Sequence, residues 1–207
     1  MISRKPYSIY IILDTQFFSS FSKISDLARI CREENVDFVQ FRDKESPLQD
    51  FLRIAERLHR IFKNSSTKLI INDRLDVSLS LGCGLHLGRD DFPLERVVSV
   101  FPRGLALGFT VHNQDELSYA NRFNLDYVSF GPVFRSFSKP QLKPQGIERL
   151  VRLRKKSIHR VFAIGGINLD NIVLLKEKGI KDVVISSGFC LSPQPQEFLR
   201  KVKRALR

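Results

Sequence analysis

The feature that most constrains this chain is an alternation repeated eight times: a short β-rich run, then a longer stretch with apolar residues at helical spacing. Ser8–Leu13 is a run of β-branched and aromatic residues, and Phe21–Glu33 then carries Ile24, Leu27, Ala28 and Ile30–Cys31 on one helical face. Asp37–Phe41 reads as the second strand. Pro47 opens a long amphipathic segment with Leu48, Phe51, Leu52, Ala55, Leu58, Ile61 and Phe62, and Pro suits a first turn because its missing N–H is not needed there. Lys68–Ile71 and Leu85–Leu87 are the next strands, with a short helix over Asp76–Leu81 between them and another around Val97–Val100 beyond. Leu105–Phe109 is the fifth strand. Asn113 heads a helix to Arg122, with Glu116 three residues on as in a capping box. Tyr127–Phe130, Val161–Ile164 and Asp182–Ser186 complete the strands. The helices among and after them are Ile147–Lys155, Ile172–Lys178 capped by Asn168 and ended by Gly179, and Gln196–Leu206.

Eight strands with helical partners in 207 residues predict an α/β protein, a single-domain (β/α)8 TIM barrel spanning 1–207. An open doubly wound sheet is the runner-up, but usually has fewer strands. Hydrophobic residues make up 43%, enough for a substantial core without disulfides, and no stretch approaches 18 uninterrupted apolar residues. Cys31, Cys83 and Cys190 are far apart and unpaired in pattern, which argues for a reducing compartment and against a zinc or disulfide framework. Arg4 and Lys5 precede an apolar run that Asp14 stops too early for a signal peptide, so a cytoplasmic protein is expected.

Charge favours anionic partners. Lys and Arg number 34 against 22 Asp and Glu, a formal net of +12. Much of the surplus is local: Arg149, Arg152, Arg154, Lys155, Lys156, His159 and Arg160 form one cluster, and Arg200, Lys201, Lys203, Arg204 and Arg207 another. Such runs most often are solvated helix faces.

A barrel of this kind carries its active site where strands end, and polar or Gly-rich groups collect at seven of those ends. The second strand leads into Gln40, Arg42, Asp43 and Lys44, the third into Asn72, Asp73 and Arg74, and the fourth into His86 and Gly88–Asp91. The fifth reaches Thr110 and His112, and the sixth Gly131–Pro132, then Ser136, Ser138 and Lys139. Gly165–Gly166 follow the seventh and Ser186–Gly188 the eighth. Gly165–Gly166 beside the Ser186–Gly188 turn match a phosphate cradle, where bare N–H groups approach oxygen; a plain turn needs glycine too. Asp73 and Asp91 could jointly hold Mg²⁺, which prefers a few carboxylates plus phosphate oxygens and water; capping a helix serves either residue equally well. Arg42, Lys44 and Lys139 would neutralise a second, more highly charged group such as a diphosphate, or be ordinary surface charge. His86 lies in an apolar run and reads as a satisfied core histidine, while His112 on the rim is the better proton carrier. Two anion sites with a metal between them suggest joining two phosphorylated molecules, and no G-x-S-x-G, H-E-x-x-H or Walker motif is present.

At these residues the sequence resembles the thiamine-phosphate synthase family and its close relatives, the thiazole tautomerases. The resemblance covers nearly the whole chain and rests on Gln40–Lys44 (QFRDK), Ile71–Arg74 (INDR), His86–Asp91 (HLGRDD), Gly131–Lys139 (GPVFRSFSK), Ala163–Ile167 (AIGGI) and Val184–Ser187 (VISS). It implies a Mg²⁺-dependent transferase in which a diphosphorylated aminopyrimidine loses pyrophosphate and a thiazole phosphate attacks. By resemblance Gln40, Arg42, Asp43, Lys44, Asn72, Thr110 and Lys139 would bind the pyrimidine diphosphate, with Lys139, Arg42 and Lys44 catalytic. Asp73 and Asp91 would hold Mg²⁺, and Ser136, Ser138, Gly166, Ile185 and Ser186 the thiazole phosphate.

The sequence departs from the family pattern at Arg89, Thr110, Ser136 and Ser138, and in a shortened Gly82–Gly84 loop. The hydroxyl exchanges keep hydrogen bonding. Arg89, close in sequence to Asp91, predicts a guanidinium that pairs with the carboxylate and competes with Mg²⁺. The implied partners are two phosphorylated small molecules, with no nucleic acid, no membrane, and a homo-oligomer left open. A tautomerase using His112 without metal is the alternative activity, and a non-catalytic basic binding protein the alternative class.

Overall fold

The computed structural model describes residues 6–18 and 20–207; Arg4 and Lys5 lie outside them. Eight parallel strands close into a barrel in chain order, β1 pairing with both β2 and β8. The strands are β1 (Ser8–Asp14), β2 (Phe38–Arg42), β3 (Lys68–Asn72), β4 (Gly84–Leu87), β5 (Leu107–Val111), β6 (Tyr127–Phe130), β7 (Arg160–Ile164) and β8 (Asp182–Ile185). After them come, in order, the helices α1 (Phe21–Glu33), α2 (Leu48–Phe62), α3 (Leu75–Leu81), α4 (Leu94–Val100), α5 (Gln114–Ala120), α6 (Ile147–Arg154) and α7 (Ile172–Glu177). Beyond β8 a single-turn helix α8 (Ser187–Cys190) precedes α9 (Pro195–Leu206). The expected (β/α)8 barrel is the observed one.

Strand periodicity divides the core into two layers. Ile9, Ile11 and Leu13 of β1 point outward to the helices, while Tyr10 and Ile12 point into the barrel. The helices meet the outer layer with apolar stripes, on α2 Phe51, Ile54, Ala55, Leu58 and Phe62. The inner layer is aromatic: Tyr10, Phe38, Tyr127 and Phe162 pack with ring centroids 5.3 to 5.9 Å apart. Gly108 makes this possible, since a Cβ there would lie 2.0 Å from the Tyr127 ring.

Three local expectations shift. The fifth strand starts two residues later than the apolar run suggests, because Asp126 Oδ2 takes the Leu107 N–H only at that point. Asn168 does not cap α7 directly; its side chain takes the N–H groups of Asp170 and Asn171 in a turn that leads into the helix. The turn expected at Ser186–Gly188 is the start of α8. Arg149, Arg152, Arg154, Lys155 and Lys156 are exposed, as expected of a solvated helix face. Among the described residues no helix is long and apolar enough to cross a membrane.

Candidate active site

The strands' C-terminal ends surround one cavity. Ile12 and Asp14 of β1, Gln40 and Arg42 of β2, Asn72 of β3 and His86 of β4 form one side. Thr110 and His112, then Ser136, Ser138 and Lys139 after β6, Gly166 after β7 and Ser186 after β8 form the other. Nine of the twelve residues expected to bind substrate therefore share a wall, with His86 and His112.

Each is held by its own local chemistry. Asp14 is buried and ties down Arg42 Nη1 at 2.5 Å and Gln16 Nε2 at 2.7 Å, so the guanidinium is aimed before any ligand arrives. Asp73 sits in the left-handed region at φ 61°, which Asp and Asn tolerate better than most residues. Its N–H donates to the His86 carbonyl at 2.9 Å, and Asn72 Nδ2 donates to its carboxylate. Asp91 Oδ2 accepts the Gly88 N–H at 2.6 Å. His112 is fixed by the capping box of α5: Asn113 takes the Glu116 N–H at 2.9 Å, and Glu116 returns a carboxylate oxygen to the His112 N–H at 2.7 Å. Its Nδ1 donates to the Gly131 carbonyl at 2.6 Å, and the ring lines the cavity wall.

Asp73 and Asp91 stand together beside the cavity, with the Lys44 ammonium paired to Asp73 and 3.8 Å from Asp91. Burial, then the neighbouring Asp91, pushes the Asp73 pKa up to about 6. Against the upward pull of burial, Asp73, the Gly88 N–H and Lys44 hold Asp91 below the usual range. Two hard carboxylates that repel one another fit Mg²⁺. Among the described residues no third carboxylate, His or Cys joins them, as suits an ion that completes its shell with phosphate oxygens and water.

The raised Asp73 pKa has a definite sign. The folded state binds its proton more tightly than the unfolded chain, so Asp73 stabilises the metal-free protein at low pH and loses that contribution as pH rises through about 6. Mg²⁺ bound at Asp73 would compete with the same proton. We expect saturating Mg²⁺ to raise the Tm clearly at pH 8 and little at pH 5, read by thermal unfolding; an equal shift at both would exclude Asp73 as a ligand.

Lys139 completes the cationic side. Partial burial of its ammonium, then the charges of Arg42 and Lys44, lowers its pKa, so three cations stand close together on this side of the cavity. On the opposite side Gly165 and Gly166 adopt φ 99° and 67° and pack under the segment from Pro132 to Arg135. Ser186 Oγ donates to the Ile12 carbonyl at 3.1 Å.

The cavity floor is a buried polar network. Gln40 Nε2 donates to Tyr10 Oη at 2.6 Å, Tyr10 Oη lies 2.9 Å from Tyr127 Oη, and Tyr127 Oη lies 3.0 Å from His86 Nδ1. His86 Nε2 lies 2.8 Å from Thr110 Oγ1, which is 3.0 Å from Ser129 Oγ. Burial lowers the His86 pKa to about 4 and raises those of both phenols, so the imidazole is neutral and the phenols protonated at neutral pH.

Several expectations need correction. Arg89 is exposed and lines a separate surface hollow with Phe92 and Tyr119. Among the described residues the cation on the acidic pair is Lys44, and Arg89 makes no ion pair with Asp91; side-chain reach across the loops outweighs nearness in sequence. Asp43 is not on the cavity wall: its Oδ1 takes the N–H groups of Glu45 and Ser46 at 3.0 and 3.1 Å and turns the chain toward α2. Ile185 is buried in the outer core and also off the wall. Asp14 and Gln16 join the wall from the first strand's end, where the rule that strand ends build the site applies equally. His86 is both the satisfied core histidine expected and part of the floor.

The family model for thiamine monophosphate synthase matches residues 9–189. The chain belongs to the thiamine monophosphate synthase family. Among family relatives, the thiamine-phosphate synthase of Syntrophomonas wolfei is 30% identical over 200 residues, covering 96% of this chain and 95% of that protein. That of Prochlorococcus marinus (strain AS9601) is 34% identical over 93% of this chain, which spans about half (54%) of that longer protein. A solved structure titled thiamine phosphate pyrophosphorylase, from Pyrococcus furiosus, has a TM-score of 0.86 at 24% identity, covering 98% of this chain and 96% of that one. That likeness speaks for the barrel alone. Membership makes the chain a transferase of the thiamine-phosphate synthase kind.

Proposed function

We propose that this chain joins an aminopyrimidine carrying a diphosphomethyl group to a thiazole phosphate, giving thiamine phosphate and pyrophosphate with Mg²⁺, or to the carboxylated form of that thiazole with loss of CO2 as well. The observation that supports the reading is that one mouth gathers cations and a carboxylate pair on one side and glycine with hydroxyls on another. Arg42, Lys44 and Lys139 gather with the Asp73–Asp91 pair on the first, and Gly166 with Ser136, Ser138 and Ser186 on the second.

The chemistry follows from those charges. The bond between the pyrimidine methylene carbon and the diphosphate oxygen breaks with its electron pair leaving on the diphosphate. Arg42, held by Asp14, and Lys139 neutralise that developing charge from fixed positions, so little reorganisation accompanies ionisation. Lys44 can turn from the acidic pair to the phosphate when the pair is otherwise neutralised. Asp73 and Asp91 would hold Mg²⁺, which when bound supplies Lewis-acid stabilisation of the leaving group. The thiazole nitrogen then bonds to the methylene carbon, and no protein nucleophile is needed. Gly166, Ser136 and Ser138 hold the thiazole phosphate by hydrogen bonds with Ser186 beside them, which sets the two rings at reacting distance. Three free, buried cysteines suit a reducing compartment, the cytoplasm.

The test is purified protein with both substrates and Mg²⁺. One pyrophosphate should appear per thiamine phosphate, and none when either substrate is omitted. Absence of thiamine phosphate sinks the proposal. The His112 ring, oriented through Nδ1 on the cavity wall, favours one second reading, proton transfer on the thiazole carboxylate phosphate. Isomerisation of that compound alone, without metal and lost in His112→Ala, would establish it.

A further inference from the structure

The cavity floor is a hydrogen-bonded wire that crosses the barrel, and both of its ends open into the mouth. It runs from Gln40 on β2 through Tyr10 on β1 and Tyr127 on β6 to His86 on β4 and Thr110 on β5. The two phenols lie fully buried beneath the site. One bond fixes the direction of every proton along it. Gln40 Nε2 donates to Tyr10 Oη, so the Tyr10 proton points to Tyr127, and the Tyr127 proton to His86 Nδ1. His86 then carries its own proton on Nε2 and donates to Thr110 Oγ1. Reversing a single bond would set two protons or two lone pairs face to face between buried groups, which is costly where water cannot relieve it. The wire therefore points one way or the other as a whole.

That direction decides what the mouth offers a ligand. With its nitrogen given to Tyr10, Gln40 keeps Oε1 as an acceptor, and among the described residues no protein donor reaches it. Thr110, having accepted from His86, keeps its hydroxyl proton for Ser129 or for a ligand. In the opposite direction Gln40 would present N–H groups, and Thr110 would have spent its proton on His86.

We propose that Tyr10, Tyr127 and His86 are positioning residues that lock Gln40 and Thr110 into one donor–acceptor pattern, so that the mouth selects an amino-substituted heteroaromatic ring over its oxo counterpart. The inference rests on the aminopyrimidine reading above and deepens it. An exocyclic amino group donates to Gln40 Oε1, whereas an oxo group meets that oxygen with another acceptor. Accepting the oxo ring would require all five groups to reverse together.

The test compares the aminopyrimidine diphosphate with the analogue whose amino group is replaced by oxo, by kcat/KM or, for an inert analogue, by competition. Wild type should discriminate by about 10²-fold or more, on the scale of a site built to pair a polar group. Tyr127→Phe keeps the ring and removes the two middle bonds, to Tyr10 and to His86; it should lower that ratio about tenfold or more, as loss of buried hydrogen bonds implies, and leave pyrophosphate binding unchanged. Tyr10→Phe should act in the same direction. Nitrogen NMR of His86 in the wild type should show the proton on Nε2 and a bare Nδ1. An unchanged ratio in folded Tyr127→Phe, or a wild-type His86 proton on Nδ1, overturns the relay. If the wild type makes no thiamine phosphate, the activity reading fails instead, and the His86 tautomer still decides the relay.

Discussion

Asp73→Asn lowers kcat on the order of 10³-fold while leaving the protein folded, the scale expected when a group stabilising developing charge in a water-poor site is lost. Asn is the informative replacement because it keeps the size of the side chain and tolerates the left-handed backbone, φ 61°, that Asp73 adopts. What it removes is one of the two carboxylates that, on the proposed reading, would hold Mg²⁺. Asp91 alone would be a weaker ligand for a hard divalent ion, and the leaving diphosphate would then lack part of its neutralisation. Stability should move the other way. Asp73 and Asp91 repel each other at neutral pH, so the metal-free variant should melt at or above the wild-type temperature. Steady-state kinetics across a Mg²⁺ titration, with a melting curve on the same sample, separates the two effects. Turnover within tenfold of wild type would remove Asp73 from the chemistry.

Gly166→Ala should damage the other end of the mouth and the fold together. The residue has φ 67°, and a Cβ there would lie 2.3 Å from the Arg135 carbonyl oxygen and 2.9 Å from Phe134 Cβ. The left-handed backbone and the overpacking together cost about 3 kcal/mol, so the Tm should fall by roughly 10 °C for a chain of this size. The relief available is displacement of the Phe134–Arg135 backbone, which leads directly into Ser136 and Ser138. KM for the thiazole phosphate should therefore rise about 10²-fold, the usual consequence of misplacing a binding group by about an ångström. KM for the pyrimidine diphosphate should change far less, because Arg42 and the acidic pair are built on β2, β3 and the loop after β4. Equal losses for both substrates would mean that Gly166 supports the whole mouth rather than its phosphate end.

Much of the site was legible because a parallel barrel turns chain order into position. Once the eight strands are located, the residues that follow each one must share a rim, and Gln40, Asn72, Thr110 and Gly166 were found by that rule alone. Asp14 follows the same rule, but along the chain it reads only as the polar stop to an apolar run. Asp43 and Ile185 show the rule's limit. Whether a residue at a strand end faces the cavity, caps the next helix or enters the outer core depends on alternation and loop geometry of one residue's precision. Lys44 and Arg89 make the same point for charge: a guanidinium two residues from Asp91 turns away to the surface, while an ammonium from another loop reaches in.

By itself the sequence determined the alternating pattern, and with it the barrel, the rim and the chemical types gathered there, because periodicity and strand polarity are local properties. Only the tertiary structure decided which of those groups touch. Tyr10 and Tyr127 read along the chain as two ordinary strand aromatics, 117 residues apart, and become one hydrogen bond when the sheet closes on itself. Hydrogen bonds and charge pairs depend on separations of a few tenths of an ångström, and distances that fine are set by packing across the barrel rather than by neighbours in the chain.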